Sequence, residues 1–326
     1  MKPDAFMTDL TRKPEVLARL ALMLAEGNPW ARVVPADTER VVFIGMGSSN
    51  YAGAVAAARL RARGIIAVAE LASSALLPDW GPRTLVVATS ASGGSAETLD
   101  ALTRLPEGAA TVALTNTPGS PLTERCDAVV TLEADVEHGG VACRSYQHTL
   151  AVLLALKCHL LGTDTTALAA TIDSAAAAST YLLDSESSWL PEVSELLLGP
   201  SGTHLAAPVH RLCSAQQGAL MVREGPRLPA AACETGDWSH VDVYLTKTTD
   251  YRLLVFAGSP WEAQLAEWTT ARGSTVVGVG GDVPGARYVL RYPGDSDDDV
   301  ALLTEVLVPE MVAGRRWQQI TQETIG

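Results

Sequence analysis

The sequence predicts an α/β protein with parallel sheets flanked by helices, a flavodoxin-like three-layer sandwich. Short runs rich in Val, Ile and Ala alternate with helical segments along most of the chain, and this alternation is typical of parallel α/β units. The connections between these segments are a few residues long, as such units prefer. The alternation stops near residue 163 and restarts near residue 203, so we expect two copies of one layout.

The first copy is predicted to begin with a helix over 14–26, where apolar residues recur at helical spacing after a proline. An Ala-rich helix over 50–64 ends at a glycine, the residue that most often closes a helix. Further helices are predicted at 95–105 and about 145–161. The strands of this half are predicted at 40–47, 65–70, 84–90, 110–116 and 128–134.

An acidic, Ala- and Ser-rich helical segment over 163–200 separates the two copies. We therefore expect a first domain over 1–165, a helical bridge over 166–200 and a second domain over 201–326. The strands of the second domain are predicted at 203–208, 252–259, 275–281 and 287–293. Its helices are predicted at 214–224, 261–273 and about 298–318.

The composition excludes several classes of protein. Of the 326 residues, 47% are hydrophobic and 19% are charged, which indicates a folded chain. The net charge of −13 argues against nucleic acid and anionic membranes as partners, since both need a basic face. The apolar runs are too short to span a bilayer, and the N-terminus lacks the apolar core of a signal peptide, so we expect a cytoplasmic protein.

Metal sites and disulfides are not expected. The five cysteines form no CxxC pair, and the six histidines show no HExxH spacing. An odd number of unpaired cysteines fits a reducing compartment, and the missing spacings disfavour zinc.

Two loops rich in glycine and serine follow predicted strands of the first half. GMGSSN (45–50) follows the first strand, and TSASGGS (89–95) follows the third. Open parallel sheets bind ligands beyond the carboxyl ends of their strands. Glycine lets the backbone approach a ligand, serine donates O–H groups, and a helix N-terminus offers free N–H groups. The two loops together predict a site for a phosphate dianion.

Two other interpretations of these loops are open. Serine is a common helix N-cap, which would give the hydroxyls a structural role only. GMGSSN also resembles the start of the dinucleotide fingerprint GxGxxG, with Glu70 about twenty residues further on. The third position of that fingerprint is Asn50 rather than glycine, and a dinucleotide fold has no use for the second serine loop. We therefore expect no cofactor.

Taken together, the motifs resemble the SIS (sugar isomerase) family of phosphosugar-binding domains. The family's GxGTS loop is matched by residues 45–49, its SQSGET loop by residues 90–95 without a gap, and its GVAST element by residues 140–144. The resemblance runs through nearly the whole chain. It is to the double-domain branch, which includes the isomerase half of glucosamine-6-phosphate synthase and the fructosamine-6-phosphate deglycases. It therefore implies two SIS domains in one chain.

The resemblance also implies which residues bind a sugar phosphate. Serines at the positions of Ser49, Ser90, Ser92 and Ser95 hold the phosphate in the family. Ala91 replaces the glutamine of SQS, which removes one side-chain contact but leaves the loop's main chain and hydroxyls intact. The substrate-binding residues expected on this basis are Gly47, Ser48, Ser49, Ser90, Ser92, Gly93, Ser95, Ala142 and Cys143, the last of which replaces a serine near the sugar.

The catalytic candidates lie in the second half. The segment GALMVREGPRLPAAACETGDWSH resembles the family's GALKLKE…H, and Glu224 and His240 keep its sixteen-residue spacing. Proton transfer between C1 and C2 of an open-chain sugar needs a carboxylate base, and ring opening needs a group that moves a proton near neutral pH. The resemblance assigns these roles to Glu224 and His240 respectively. It also implies a homodimer with a shared site, because in relatives this histidine often reaches the partner's site.

Several positions depart from the family pattern. The family's His-Gly-Pro becomes His240-Val241-Asp242, the lysine three positions before the glutamate becomes Met221, and no lysine follows Lys247. We therefore expect no imine route through a tail lysine. We also expect no glutaminase half, because no segment precedes the predicted fold to deliver ammonia. Without the resemblance, the glutamate would be a solvated charge at a helix end and the histidine an ordinary loop residue.

We expect an enzyme that acts on a phosphorylated aldose, ketose or amino sugar by enolisation at C1–C2. An aldose–ketose isomerase and a fructosamine-6-phosphate deglycase or deaminase share that first step and differ in whether an amine leaves. A non-catalytic sugar-phosphate-binding regulator is the alternative from another class.

Overall fold

The computed structural model describes residues 2–325 and shows an α/β fold with two parallel five-stranded sheets flanked by helices. This confirms the predicted fold class. The contacts divide the chain into two compact units, each of which holds one sheet. The first unit is formed by Val16–Val136 and Arg144–Ile172, and the second unit is formed by the rest of the chain. The sequence-based domain limits at 165 and 200 stay a prediction.

Five strands form the sheet of the first unit, namely β1 (Arg40–Gly45), β2 (Ile66–Leu71), β3 (Thr84–Thr89), β4 (Ala110–Thr115) and β5 (Ala128–Thr131). They lie in the order β2-β1-β3-β4-β5. Every residue of β3 is buried, as expected for a strand covered on both faces. Because β1 pairs with β2 on one side and β3 on the other, the crevice between the ends of β1 and β3 is a topological switch point.

The sheet of the second unit repeats this topology. Its strands are β6 (Thr203–Ala207), β7 (Ala230–Glu234), β8 (Arg252–Phe256), β9 (Thr275–Val279) and β10 (Tyr288–Leu290), in the order β10-β9-β8-β6-β7. Taken from the β7 edge, this is the order of the first sheet. The repeated layout predicted from the sequence is therefore confirmed, and the second switch point lies between the ends of β6 and β8.

Helices cover the sheets. In the described residues they are α1 (Pro3–Thr11), α2 (Lys13–Glu26), α3 (Ser48–Arg61), α4 (Ala96–Leu102), α5 (Arg144–Leu160), α6 (Thr166–Asp184), α7 (Glu186–Leu197), α8 (Leu212–Glu224), α9 (Glu262–Ala271), α10 (Asp298–Thr304) and α11 (Leu307–Ile325). Short 3-10 helices lie at Pro29–Arg32, Val209–Arg211, Asp237–Ser239 and Asp242–Lys247.

Some elements differ from the sequence-based expectations. Strand β7 is missed because its sequence, AAACE, has neither β-branched residues nor alternating polarity. Helix α1 is missed because it has only nine residues, too few for a clear helical repeat of apolar positions. Its Phe6 packs against Trp317 of α11 in the second unit. The single final helix predicted over 298–318 is instead α10 and α11, separated near Glu305.

Two buried ion pairs stabilise the second unit. Lys13 pairs with Glu310, and both side chains are fully buried. Arg211 pairs with Glu305, and both of these side chains are also buried. Arg211 also donates to the carbonyl of Ala257. Burial raises the pKa of each glutamate to about 7, while the partner cation opposes that shift. The second pair closes the switch point of this sheet, because Arg211 follows β6 and Ala257 follows β8.

A buried histidine links α5 to the first sheet. His148 is fully buried, and its Nδ1 lies 2.7 Å from the carbonyl oxygen of Leu132, just after β5. Burial lowers the pKa of His148 to about 4, whereas an unfolded histidine titrates near 6.5. The folded protein therefore holds this ring neutral at a pH where the unfolded chain is already protonated.

We predict that His148 makes the protein less stable in acid. Between pH 6.5 and 4, His148 is protonated in the unfolded chain but stays neutral in the folded state. The free energy of unfolding therefore falls by about 3 kcal/mol as pH drops through this window. Denaturant unfolding of the wild type and His148→Gln between pH 4 and 8 measures this effect. The variant should lose that part of the slope, and His159→Gln on the same helix should keep it. Equal slopes in the wild type and His148→Gln would contradict the prediction.

Candidate functional site

The first hydroxyl loop lies at the carboxyl end of β1 and leads directly into α3. The helix begins at Ser48, two residues earlier than predicted, so Ser48 and Ser49 lie in its first turn. Gly47 is the N-cap, with φ +50° and no side-chain hydrogen bond to the helix. This positive φ favours glycine. The helix N-terminus is therefore capped by bare backbone, with two half-buried hydroxyls beside it.

Glycine at position 45 lets the two hydroxyl loops approach each other. A Cβ on Gly45 would lie 2.8 Å from the Cβ of Ser49 and 3.2 Å from the carbonyl oxygen of Thr89. Thr89 is the last residue of β3, and Ser90 follows it. The start of the first loop therefore lies close against the end of β3, where the second loop begins.

The second loop is held by its main chain. The carbonyl of Ala91 accepts hydrogen bonds from the N–H of Asn116 at 3.0 Å and from the hydroxyls of Thr115 and Thr117 at 3.2 and 3.1 Å. The N–H of Gly93 donates to the carbonyl of Ser90 at 3.0 Å. None of these contacts uses the side chain of residue 91, so the replacement of the family's glutamine by alanine leaves the loop intact.

The serines of the second loop differ in their surroundings. Ser90 is buried at 6% exposure, and Ser92 is exposed. Ser95 is the N-cap of α4, where its Oγ accepts from the N–H of Thr98 at 3.3 Å and donates to Glu97 at 3.0 Å. Ser95 therefore has the structural role of a helix N-cap, one of the interpretations that the sequence left open. Hydrogen bonds from the backbone and from Ser95 lower the pKa of Glu97 and keep it ionised.

One hydroxyl at this edge was not predicted from the sequence. Ser120 follows β4 and is buried at 4% exposure, and its Oγ has no hydrogen-bond partner among the described residues. It packs against Gly93, where a Cβ would overlap the Ser120 hydroxyl. Gly93 has φ +64°, so glycine is required there for two independent reasons. The sequence NTPGS (116–120) indicates a turn after β4. The sequence does not show that this turn places Ser120 against Gly93, which only the folded structure reveals.

The third predicted element, residues 140–144, is divided between the two units. Residues up to Cys143 belong to the second unit, and Arg144 begins α5 of the first. The N–H of Cys143 donates to Glu137 at 2.7 Å, and the carbonyl of Ala142 accepts from Gln217 of α8 at 3.1 Å. Cys143 is fully buried, and burial together with the charge of Glu137 raises the pKa of its thiol. A nucleophilic thiolate is therefore disfavoured at this position.

Glu224 is the last residue of α8, the helix that holds Ala142 through Gln217. Its carboxyl group is half-buried, and desolvation raises its pKa. Gly225 ends the helix, and its N–H donates to the carbonyl of Met221 at 3.0 Å. A Cβ at this position would lie 3.2 Å from the ring of Trp317. The carboxylate is therefore partly shielded from water rather than fully solvated.

His240 is exposed and follows the 3-10 helix Asp237–Ser239 beyond the end of β7. Its N–H donates to the carbonyl of Asp237 at 2.8 Å. Glu234, at the end of β7, accepts from the N–H groups of Gly236 and Asp237 at 2.7 and 2.9 Å. The turn before the histidine is thus fixed by a carboxylate.

The predicted site residues divide between the units. The first unit brings together the two loops that carry Gly47, Ser48, Ser49, Ser90, Ser92, Gly93 and Ser95. The second unit holds Ala142, Cys143, Glu224 and His240. In the part of the chain that the structure describes, no group of three or more His, Cys, Asp or Glu side chains is arranged to hold a metal, and no helix has the length and apolar character to cross a bilayer.

A protein-family comparison identifies this arrangement. Residues 36–157 match the family model described as SIS domain. This part of the chain is therefore similar to SIS domains, and it contains both hydroxyl loops. The match is to one such domain, in the N-terminal half.

Two curated relatives extend the similarity beyond that domain. Both are glutamine–fructose-6-phosphate aminotransferases (isomerizing). The protein from Methanocaldococcus jannaschii is 27% identical over 74% of this chain and 22% of its own length. The protein from Aeropyrum pernix is 26% identical over 89% of this chain and 50% of its own length. The chain thus spans half or less of the relatives it matches.

Solved structures show the same fold over nearly the whole chain. The C-terminal domain of glucosamine-fructose-6-phosphate aminotransferase from Francisella tularensis superimposes with a TM-score of 0.83 at 18% identity, covering 96% of this chain and 95% of that one. Tagatose-6-phosphate ketose/aldose isomerase from Escherichia coli gives a TM-score of 0.76 at 16% identity, covering 97% and 89%. At these identities the likeness concerns the fold alone.

We predict that the second loop tolerates a side chain at Gly94 but not at Gly93. Gly93→Ala should lower the free energy of unfolding by about 2–4 kcal/mol, because it combines a left-handed backbone with overlap at Ser120. At Gly94 the nearest atom to a Cβ is 3.9 Å away, and φ is not positive. Denaturant unfolding should therefore place Gly94→Ala within about 1 kcal/mol of the wild type. Equal destabilisation by the two changes would contradict this geometry.

Proposed function

We propose that this protein is a phosphosugar aldose–ketose isomerase or an amino-sugar-phosphate processing enzyme that transfers a proton between C1 and C2. One observation carries the proposal. Two hydroxyl-bearing loops, each with a glycine at positive φ, meet at the switch point of the first sheet. The SIS domain match and the named activities of the relatives support a sugar phosphate as the ligand.

The phosphate lies, in this proposal, between the N-terminus of α3 and the second loop. Ser48 and Ser49 provide hydroxyls in the first turn of α3, where the helix N-terminus carries partial positive charge. Ser90 and Ser92 provide hydroxyls from the other side, and Ser95 adds one at the start of α4. Glu97 also bonds Ser95, so its carboxylate must turn away from a bound dianion. Affinity therefore depends on hydroxyls and amides rather than on cationic side chains.

Glu224 acts as the base on the open-chain sugar. It removes the proton from C1 or C2, the resulting enediol keeps both oxygens, and the same carboxyl group returns the proton to the neighbouring carbon. Partial burial favours this chemistry, because the raised pKa makes the carboxylate a stronger base. His240 moves the proton that opens the ring.

A homodimer with a shared site is part of the proposal. His240 is exposed, and exposed apolar side chains of the next turn follow it, namely Val241, Tyr244 and Leu245, at 49%, 63% and 40% exposure. A second copy of the chain covering this surface would bury these side chains and bring the histidine to the partner's sugar. The repeated sheet topology further supports a second SIS domain in the C-terminal half.

Two other functions share parts of this site. A fructosamine-6-phosphate deglycase or deaminase uses the same enolisation and then releases an amine. A non-catalytic regulator needs the phosphate loops alone. The presence of Glu224 and His240 at the family's catalytic spacing favours an enzyme, because a sensor needs neither a half-buried base nor a proton shuttle.

The first test is hydrogen exchange with solvent at C1 or C2 of hexose 6-phosphates and fructosamine 6-phosphates, followed by NMR. We expect exchange with at least one sugar, and loss of about a hundredfold or more in rate in Glu224→Gln at saturating substrate. Glu267→Gln, on the exposed face of α9, should exchange normally. A sugar that binds without exchange in the wild type would favour the regulator.

The second test addresses the phosphate. Ser90→Ala combined with Ser92→Ala should raise the Michaelis constant or Kd for phosphorylated sugars by about tenfold or more, because hydrogen bonds to a charged group are lost. Binding of the unphosphorylated sugar should change little, and Ser201→Ala in an exposed turn should leave both unchanged. An equal loss for both kinds of sugar would show that these serines do not contact the phosphate.

A further inference from the structure

One tyrosine hydroxyl connects the two sides of His240. The indole N–H of Trp238, two residues before the histidine, donates to the hydroxyl oxygen of Tyr251 at 2.8 Å. The same hydroxyl donates to Oδ2 of Asp242, two residues after the histidine, at 3.1 Å. His240 therefore lies at the middle of a short loop whose ends are joined through one oxygen atom.

The tyrosine is itself held rigidly in the second unit. Tyr251 immediately precedes β8 and is 2% exposed. Its ring stacks on His204 of β6, with centroids 4.1 Å apart and an interplanar angle of 24°. Trp238 is fully buried in the same apolar cluster. The hydroxyl is therefore a fixed point to which an exposed turn is attached.

The hydrogen bond from Tyr251 gives a structural role to Asp242, a position at which the sequence departs from the family pattern. Where the resemblance places glycine and proline after the histidine, this chain has Val241 and Asp242. The Asp242 carboxylate is the acceptor of the Tyr251 hydroxyl and also lies 3.9 Å from Sγ of Cys233. Burial raises the pKa of both the thiol and the phenol, so the two groups stay protonated and can donate to the carboxylate.

We propose that Tyr251 is a positioning residue for His240, and that the chain Trp238–Tyr251–Asp242 holds the imidazole in one orientation. The chemical consequence rests on the proposed function. An imidazole that must open a sugar ring works only in the correct geometry, and the side chain of His240 is exposed. The hydrogen bonds on either side supply that constraint.

The experiment compares Tyr251→Phe with Tyr292→Phe in the full chain. Tyr292 is a matched control because it is a buried tyrosine of the same unit whose hydroxyl has no hydrogen-bond partner in the described residues. Imidazole resonances in two-dimensional ¹H–¹⁵N NMR spectra without substrate report on the histidine, with His240→Asn to assign its signals. Steady-state kinetics on the sugar phosphate that exchanges best report on catalysis.

Tyr251→Phe should shift or broaden the His240 signals and lower kcat about tenfold or more, with KM within about twofold of the wild type. Tyr292→Phe should change neither. Unchanged His240 signals in Tyr251→Phe would overturn the proposal whatever the enzyme does. Changed signals with no turnover in the wild type would instead point to failure of the proposed function. Should Tyr251→Phe not fold, Asp242→Ala removes one arm of the connection and must perturb the same His240 signals.

Discussion

The close approach of two strand ends is the constraint on which the candidate site depends. Parallel pairing of β1 with β3 brings their carboxyl ends together, and only a glycine at position 45 leaves room there, because a Cβ would meet both Ser49 and the carbonyl oxygen of Thr89. Gly93 then folds the second loop tightly against Ser120. Hydroxyls and amides are concentrated in one crevice because the backbone itself can pack so closely. Such a crevice suits the anionic ligand that we propose for this acidic protein without a cluster of cationic side chains.

In the second sheet, which has the same topology, an ion pair fills the crevice at the switch point. Arg211 crosses its switch point to reach the carbonyl of Ala257 and pairs with buried Glu305. Gly258, at φ +121°, makes room for the guanidinium, since a Cβ there would lie 2.6 Å from it. Two sheets with one strand order therefore carry different chemistry at equivalent positions. The first has hydroxyls and bare backbone, and the second has an internal ion pair.

The catalytic candidates depend on a different kind of support. Glu224 is placed by a helix end, where its carboxyl group is half-buried. His240 lies on an exposed turn and is oriented through its neighbours, which are fixed by Glu234 on one side and by Tyr251 across the loop. A base near a sugar carbon benefits from desolvation. A proton shuttle that meets a partner molecule has to stay exposed, so it takes its geometry from hydrogen bonds instead.

The sequence by itself determined the α/β class, the repeat of the layout and the two hydroxyl loops. These properties follow from local patterns, namely hydrophobic period, glycine placement and short connections. It could not find β7, whose alanines carry no strand signal, or the partnership of Ser120 with Gly93. The tertiary structure alone decided that Cys143 is buried, that Ser95 caps a helix, and that Trp238, Tyr251 and Asp242 share one hydrogen-bonded chain. Such contacts join residues distant in sequence, and they depend on packing distances that no local pattern records.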